Sequence, residues 1–263
     1  MGFTDGWDSF ADGWDSFVAV VDGRWVDRRP RRPEVAGQLR RETQLMPWLA
    51  PLLPLQVPVP WIREETPLVV RHVLVPGRAI AASDVVNGRV IGRFLHALHH
   101  LSPIEACRHG LASAGETRRR RAATISRLRG EVMPLIPVPQ RNSGALLLDA
   151  VQEFPIDTIV HGDFGPDHVL VGDGQVTGVI DFGDVHLGDA ANDLAWPLFG
   201  APPAIADAVV AAYGVTADLG DRALVWHQLG PWHEVTHGLD IGDPDTVQRG
   251  VKGVLARLNR PKG

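Results

Sequence analysis

The sequence predicts an α+β fold in which antiparallel hairpins alternate with amphipathic helices, and three observations carry that expectation. Two pairs of β-branched runs flank short turns: residues 17–21 and 24–26 around Asp22-Gly23, and residues 169–171 and 176–180 around Gly172-Asp173-Gly174-Gln175. Apolar residues recur at helical spacing at Val35, Leu39, Leu45 and Leu49, and again at Val86, Val90, Ile91, Phe94, Leu95 and Leu98. Residues 224–245 join a further helical period to an acidic loop.

In chain order, Asp-Gly-Trp-Asp-Ser-Phe at 5–10 recurs unchanged at 12–17, a period too short for a solenoid. The first hairpin follows, then the helix that carries Glu42. Six prolines, Pro47, Pro51, Pro54, Pro58, Pro60 and Pro67, rule out a long helix there and favour extended connections along a sheet edge. Residues 68–75 read as a strand closed by Pro76-Gly77. Ser83-Asp84 is placed to cap the next helix, which runs to His99. His96, His99 and His100 have no fourth ligand nearby, so they read as solvated helix histidines rather than a metal site, and Arg118 to Arg121 read as a solvated face.

The second hairpin carries chemistry at its open end. Asp163 and His168 precede its first strand and Asp181 follows its second, so pairing brings them to one end of the sheet. Phosphoryl transfer needs such a set: a carboxylate to orient an attacking hydroxyl and take its proton, and further ligands for Mg²⁺. Asp163 suits the first role and Asp181 the second. Asp173 reads as a turn former. Farther on, Asp189 or Asn192 is placed to cap a helix beginning near Ala191, and Asp189 and Asp193 read as caps or buttresses of the loop.

These motifs resemble the aminoglycoside phosphotransferase superfamily, kinase-like enzymes with a His-x-Asp catalytic loop, a metal-binding residue five positions on, and an Asp-Phe-Gly-like metal carboxylate. His161-Gly162-Asp163, His168 and Asp181-Phe182-Gly183 stand at those positions. Residues 188–195 resemble the superfamily's Gly-Asp-Pro-x-x-Asp-Leu-Ala, with Ala190 for proline. His168 replaces the usual Asn, as in macrolide 2′-phosphotransferases and some 2″-aminoglycoside phosphotransferases. Residues 25–35 are similar to the nucleotide-lobe strand of the macrolide enzymes, with an arginine in the strand and an Arg-Arg-Pro after it.

The resemblance implies a protein-kinase-like two-lobe fold, a small antiparallel β lobe and a larger mainly helical lobe. Residues 1–76 would form the nucleotide-binding lobe and 77–263 the catalytic and substrate-binding lobe. It implies transfer of the γ-phosphoryl group of ATP or GTP, with Mg²⁺, to a hydroxyl of an aminoglycoside or related cationic natural product, and hence antibiotic resistance. A macrolide is the alternative acceptor. A rival of another class is a catalytically idle nucleotide-binding or scaffold protein, supported by the short chain before the first hairpin and the charged neighbours of Arg28.

On this resemblance Asp163 is the catalytic base and also touches the acceptor, while His168 and Asp181 hold the metal. Arg28, paired with Glu42, takes the place of a strand lysine, since no lysine precedes Lys252. Asp27 and Arg29 beside it imply an edge strand or an eroded nucleotide lobe. Gly13 and Ser16 would approach the triphosphate in a glycine turn. Val73 and Val75 would meet the base through backbone groups. Trp232, Glu234 and Asp240 would wall the acceptor, with Trp226 leaning toward core.

Composition sets outer limits. Of the 263 residues, 44% are hydrophobic and 22% charged, as in soluble globular proteins. No apolar run approaches membrane-spanning length and the start lacks a signal pattern, so the cytoplasm is expected and a membrane partner is not. Cys107 stands alone, which excludes an internal disulfide and suggests packing. Residues 1–155 carry 20 arginines against 16 acids, whereas residues 156–263 carry 15 acids against 6 bases. A positive front suits phosphates and an acidic back suits a metal ion and a cationic acceptor; nucleic acid is not indicated.

Overall fold

The computed structural model describes residues 10–12, 16–84 and 86–258. Its first part is a five-stranded antiparallel sheet built from β1 (Phe10–Asp12), β2 (Ser16–Val21), β3 (Trp25–Pro30), β4 (Trp61–Glu65) and β5 (Leu68–Val73), in the order β1-β2-β3-β5-β4. Helix α1 (Pro33–Leu49) lies over it, and Val35 and Leu39 meet Leu68 and Val70 in a small core. Asp22 and Gly23 turn the first hairpin at φ 54° and 61°, the left-handed pair that a two-residue loop requires.

β3 is interior, bonded to β2 on one side and β5 on the other, and so is not an edge strand. Its charged residues are accommodated instead. Asp27, 1% exposed, accepts from Arg63 Nη1 at 2.6 Å and from Arg71 Nε and Nη2 at 2.5 and 2.8 Å. Arg29 lies over the Phe17 ring at 5.1 Å. The lobe is therefore not eroded at this strand: each charge beside Arg28 has a local partner.

α1 carries Pro47 in its last turn, a 3-10 turn follows at Ala50–Leu52, and only then does the proline-rich chain run out toward β4. On the way Gln56 O accepts from Val179 N–H at 2.9 Å, which ties this connection to the second part of the molecule. There β6 (Arg78–Ala79), β7 (Thr158–Val160), β8 (Val169–Gly172), β9 (Gln175–Val179) and β10 (His186–Gly188) form two small antiparallel sheets, β6-β8-β9 and β7-β10. Around them pack α2 (Gly88–His99), α3 (Pro103–Arg108), α4 (Ala114–Arg127), α5 (Val138–Glu153), α6 (Ala191–Phe199), α7 (Pro203–Tyr213), α8 (Ala217–Ile241) and α9 (Pro244–Leu258).

The main core gathers Ile91, Phe94, Leu95 and Leu98 of α2 with Val169, Val179 and Phe182 of the hairpin region. Leu45, Met46 and Leu49 of α1 join the same cluster, so the sheet part and the helical part share apolar contact. Burying each such side chain contributes about 1.5–3 kcal/mol. A second cluster holds Ile125, Leu148, Trp232, Val235 and Val254.

Three local expectations change. Asn87, not Ser83-Asp84, caps α2, its Oδ1 accepting from Arg89 N–H at 3.1 Å. Asp84 instead accepts from Ala81 N–H and Arg78, contacts that pull its carboxyl down to about 2. Arg121 leaves the solvated run and donates to Phe154 O and Pro155 O at 2.6 and 3.2 Å. Cys107 is exposed rather than packed.

Candidate active site

The β8–β9 turn uses Asp173 and Gly174 at φ 50° and 71°, and the ladder pairs Val169 with Val179 at the far end. That pairing sets His168 beside Asp181. His168 Nε2 stands 3.7 Å from Asp181 Oδ2, and Nδ1 stands 3.6 Å from Asp163 Oδ2. Nδ1 also donates to the Asp163 carbonyl at 2.7 Å. Because a carbonyl only accepts, Nδ1 carries a proton, and Nε2 is the ring nitrogen turned toward Asp181.

This donor set fits a divalent cation held by one nitrogen and one carboxylate. Among the described residues no group of three or more His, Cys, Asp or Glu could hold a metal by itself. Mg²⁺ does not need one, since it takes one or two carboxylates and completes its octahedron with phosphate oxygens and water. Asp181 adopts φ 65°, a left-handed conformation that Asp tolerates better than most residues. The next residue, Phe182, is buried edge-on to His161 with ring centroids 4.8 Å apart.

The backbone on either side of Gly162 is held by a set of hydrogen bonds. Gly162, at φ 89°, donates its N–H to Asp193 Oδ1 at 3.0 Å and accepts from Asn192 Nδ2 at 3.2 Å. His161 N–H donates to Asp193 Oδ2 at 2.6 Å. The His161 ring donates from Nε2 to Ile180 O at 2.9 Å and accepts from Asp163 N–H at Nδ1, 3.4 Å away. Burial pushes that ring's pKa down, against the pull of Asp193 and Ile180, which keeps it neutral. The Asp163 carboxylate is left 64% exposed on a backbone it does not have to stabilise.

From the sheet side, Arg28 Nη1 meets Glu42 Oε2 at 2.6 Å, the partner expected for it, and Nη2 lies 3.9 Å from Asp181 Oδ1. Gly13 lies outside the described residues. Ser16 is 3% exposed and its Oγ has no hydrogen-bond partner, so the hydroxyl expected at the triphosphate is buried at the start of β2. Val73 is exposed at the end of β5, whereas Val75 is buried with Cγ1 against Gly178. A cavity of about 490 Å³ opens beside both valines, between Leu53, Leu55, Val57 and Val59. None of Asp163, His168 and Asp181 lines it.

On the acceptor side the structure corrects the sequence reading. Trp232 is fully buried in the second core and walls no open site. Asp240 is clamped by Arg127 at 2.5 and 3.1 Å, which holds its carboxyl below the usual range, and Glu234 lies 3.6 Å from Arg249. Trp226 is half-buried and donates from Nε1 to Asp189 Oδ2 at 3.0 Å. Asp189 also accepts from Ala191 N–H and Arg222, so it satisfies the first amide of α6, whose N-cap is Ala190, and anchors α8. His99 is not solvated: it is buried, with Nε2 3.0 Å from Asp193 Oδ2 and Nδ1 2.9 Å from Tyr213 Oη. Its spacing held the signal, because His99 falls four residues after buried Leu95 on the same helical face.

Known proteins share this architecture. The GDP and kanamycin complex of an APH(2″) aminoglycoside phosphotransferase superposes with a TM-score of 0.82 at 22% identity, covering 95% of this chain and 92% of that one. A macrolide 2′-phosphotransferase from Brachybacterium faecium gives 0.70 at 26% identity, with 95% and 90% covered. An aminoglycoside 3′-phosphotransferase of Escherichia coli is 38% identical over 78 residues, a stretch that spans only 28% of this chain and 28% of that relative. Residues 7–229 match the phosphotransferase enzyme family, and on that extent of agreement the chain belongs to it.

Proposed function

We propose that this protein moves the γ-phosphoryl group of a nucleoside triphosphate to a hydroxyl of a cationic small molecule of the aminoglycoside type. The observation that carries the reading is the convergence of Asp163, His168 and Asp181, with side-chain separations of 3.6 and 3.7 Å, at one end of a hairpin that Arg28 faces. In this reading the lobes meet at residues 76 and 77. Asp163 accepts a hydrogen bond from the acceptor hydroxyl and takes its proton as the oxygen attacks phosphorus and the bond to the β-phosphate oxygen breaks. Arg28, steadied by Glu42, grips phosphate oxygens. Mg²⁺, when held by His168 Nε2 and Asp181, supplies charge neutralisation at the phosphates.

Relatives solved with GDP, ADP and ATP support a nucleotide donor. Complexes with kanamycin, gentamicin and streptomycin among them support a cationic acceptor, as does the acidic second part of the chain. A macrolide acceptor is the second reading, favoured by Arg28, His168 and the 26% identity to a macrolide enzyme. No helix of the described residues is long and apolar enough to cross a membrane, in keeping with a cytoplasmic enzyme.

The test is phosphorylation of kanamycin, gentamicin and a macrolide with ATP or GTP, by wild type and Asp163→Asn. The variant is expected to bind Mg-nucleotide as wild type does and to lose about 10²–10⁴-fold in kcat. Undiminished turnover by Asp163→Asn would remove the assignment. The absence of any thermal shift with either Mg-nucleotide would favour an idle scaffold.

A further inference from the structure

A continuous line of hydrogen bonds runs from α7 into the Asp163 loop. Tyr213 Oη meets His99 Nδ1 at 2.9 Å, His99 Nε2 meets Asp193 Oδ2 at 3.0 Å, and the two Asp193 oxygens take His161 N–H at 2.6 Å and Gly162 N–H at 3.0 Å. His99, Asp193 and His161 are all buried, so these bonds meet little competition from water. Asp163 is the next residue. Three helices are thereby tied to it: α7 through Tyr213, α2 through His99 and α6 through Asp193.

The donor directions follow from the chemistry. Asp193 is a carboxylate and only accepts, so the His99 proton sits on Nε2. On the other side of the ring Nδ1 pairs with the Tyr213 hydroxyl. Burial, with Asp193 and Asp189 nearby, pushes that phenol up to about 12, so it keeps its proton. The contact depends on close helix packing: a Cβ on Gly92 would press on Ala212 Cβ and Val209 O of α7. Tyr213 is also the only tyrosine of the chain.

We propose that His99 and Tyr213 are positioning residues for Asp163, acting through Asp193: the tyrosine hydroxyl holds the His99 ring at Nδ1, and that ring, bonded to Asp193 at Nε2, completes the clamp on the loop amides. The inference rests on the phosphotransferase reading. Its point of action, the clamp, is measurable without turnover.

Four proteins decide it: wild type, His99→Leu, His99→Gln and Tyr213→Phe. Gln keeps an N–H where Nε2 stood and Leu does not. Hydrogen exchange at His161 and Gly162 is expected to speed up about tenfold or more in His99→Leu, less in Tyr213→Phe, and little in His99→Gln. In steady state, kcat should fall about 10- to 100-fold in His99→Leu and about 3- to 10-fold in Tyr213→Phe, with nucleotide KM within about twofold of wild type. His99→Gln should restore most of the turnover. Equal losses in the Gln and Leu variants, unchanged exchange in Tyr213→Phe, or faster exchange with unchanged kcat would each overturn the proposal. If His99→Leu does not fold, Tyr213→Phe and His99→Gln give the same decision. A wild type that turns over no acceptor counts against the phosphotransferase reading, while the exchange arm still tests the clamp.

Discussion

Arg28 of β3 and Glu42 of α1 form an ion pair of 2.6 Å, in which Glu42 is 3% exposed. Burial pushes the Glu42 carboxyl up, Arg28 pulls it down, and Asp181 adds to the upward push, so the pair is poised between three charges. A lysine in place of Arg28 has one ammonium where the guanidinium spans Glu42 on one nitrogen and approaches Asp181 with the other.

Arg28→Ala is expected to destabilise the fold by about 3–5 kcal/mol at neutral pH, because it leaves a buried carboxylate without its cation. A carboxyl whose folded pKa is raised contributes stability below its unfolded value of 4.5, and that contribution is lost as pH rises through the folded value. The deficit of the variant should therefore shrink as pH falls from neutral toward 4.5, where Glu42 is protonated with or without Arg28, and Glu42→Gln should rescue it. Chemical denaturation across pH checks both. Arg28→Lys should keep more stability and raise the nucleotide KM about tenfold.

Asp27 has the opposite sign. Burial alone would raise its pKa, but the Arg71 bonds and charge, then those of Arg63, outweigh this and hold it below 3.8. Its stabilisation is present above that value and fades as pH falls through the lower folded pKa. Asp27→Asn should cost at most about 3 kcal/mol at pH 7, since Arg63 stays 41% exposed. The gap to wild type should close in acid; a gap that widens on acidification would refute the ion-pair account.

Gly162→Ala is expected to disable the loop with modest effect on nucleotide binding. The position sits at φ 89°, and an added Cβ would run into Asp184 O. Strain of about 1–3 kcal/mol would be relieved by shifting the loop that carries Asp163. A fall in kcat of about 100-fold, with nucleotide affinity nearly unchanged by calorimetry, is the expected result.

Trp232 substitutions should read out as stability, not recognition. Trp232→Ala is expected to cost about 3–5 kcal/mol through the cavity it leaves. Trp232→Phe should cost clearly less, because the buried indole N–H has no hydrogen-bond partner to lose. Acceptor KM should stay the same in Trp232→Phe, measured alongside its melting temperature.

Local order in the chain was enough to specify the hairpins and the spacing of Asp163, His168 and Asp181, and the family resemblance supplied Glu42 as the partner of Arg28. Tight turns and strand period act over a few residues, and a two-residue loop with left-handed Asp173 and Gly174 brings distant carboxylates to one edge. The shared fate of Asp27, Arg63 and Arg71 was settled only when β3, β5 and β4 paired, the burial of Trp232 when α8 packed on α5 and α9, and the line from Tyr213 to His161 when α7, α2 and α6 met. Residue type says which bonds a side chain can make. Burial and the arrival of partners from more than 90 positions away, as with His99 and Asp193, decide which ones it does make.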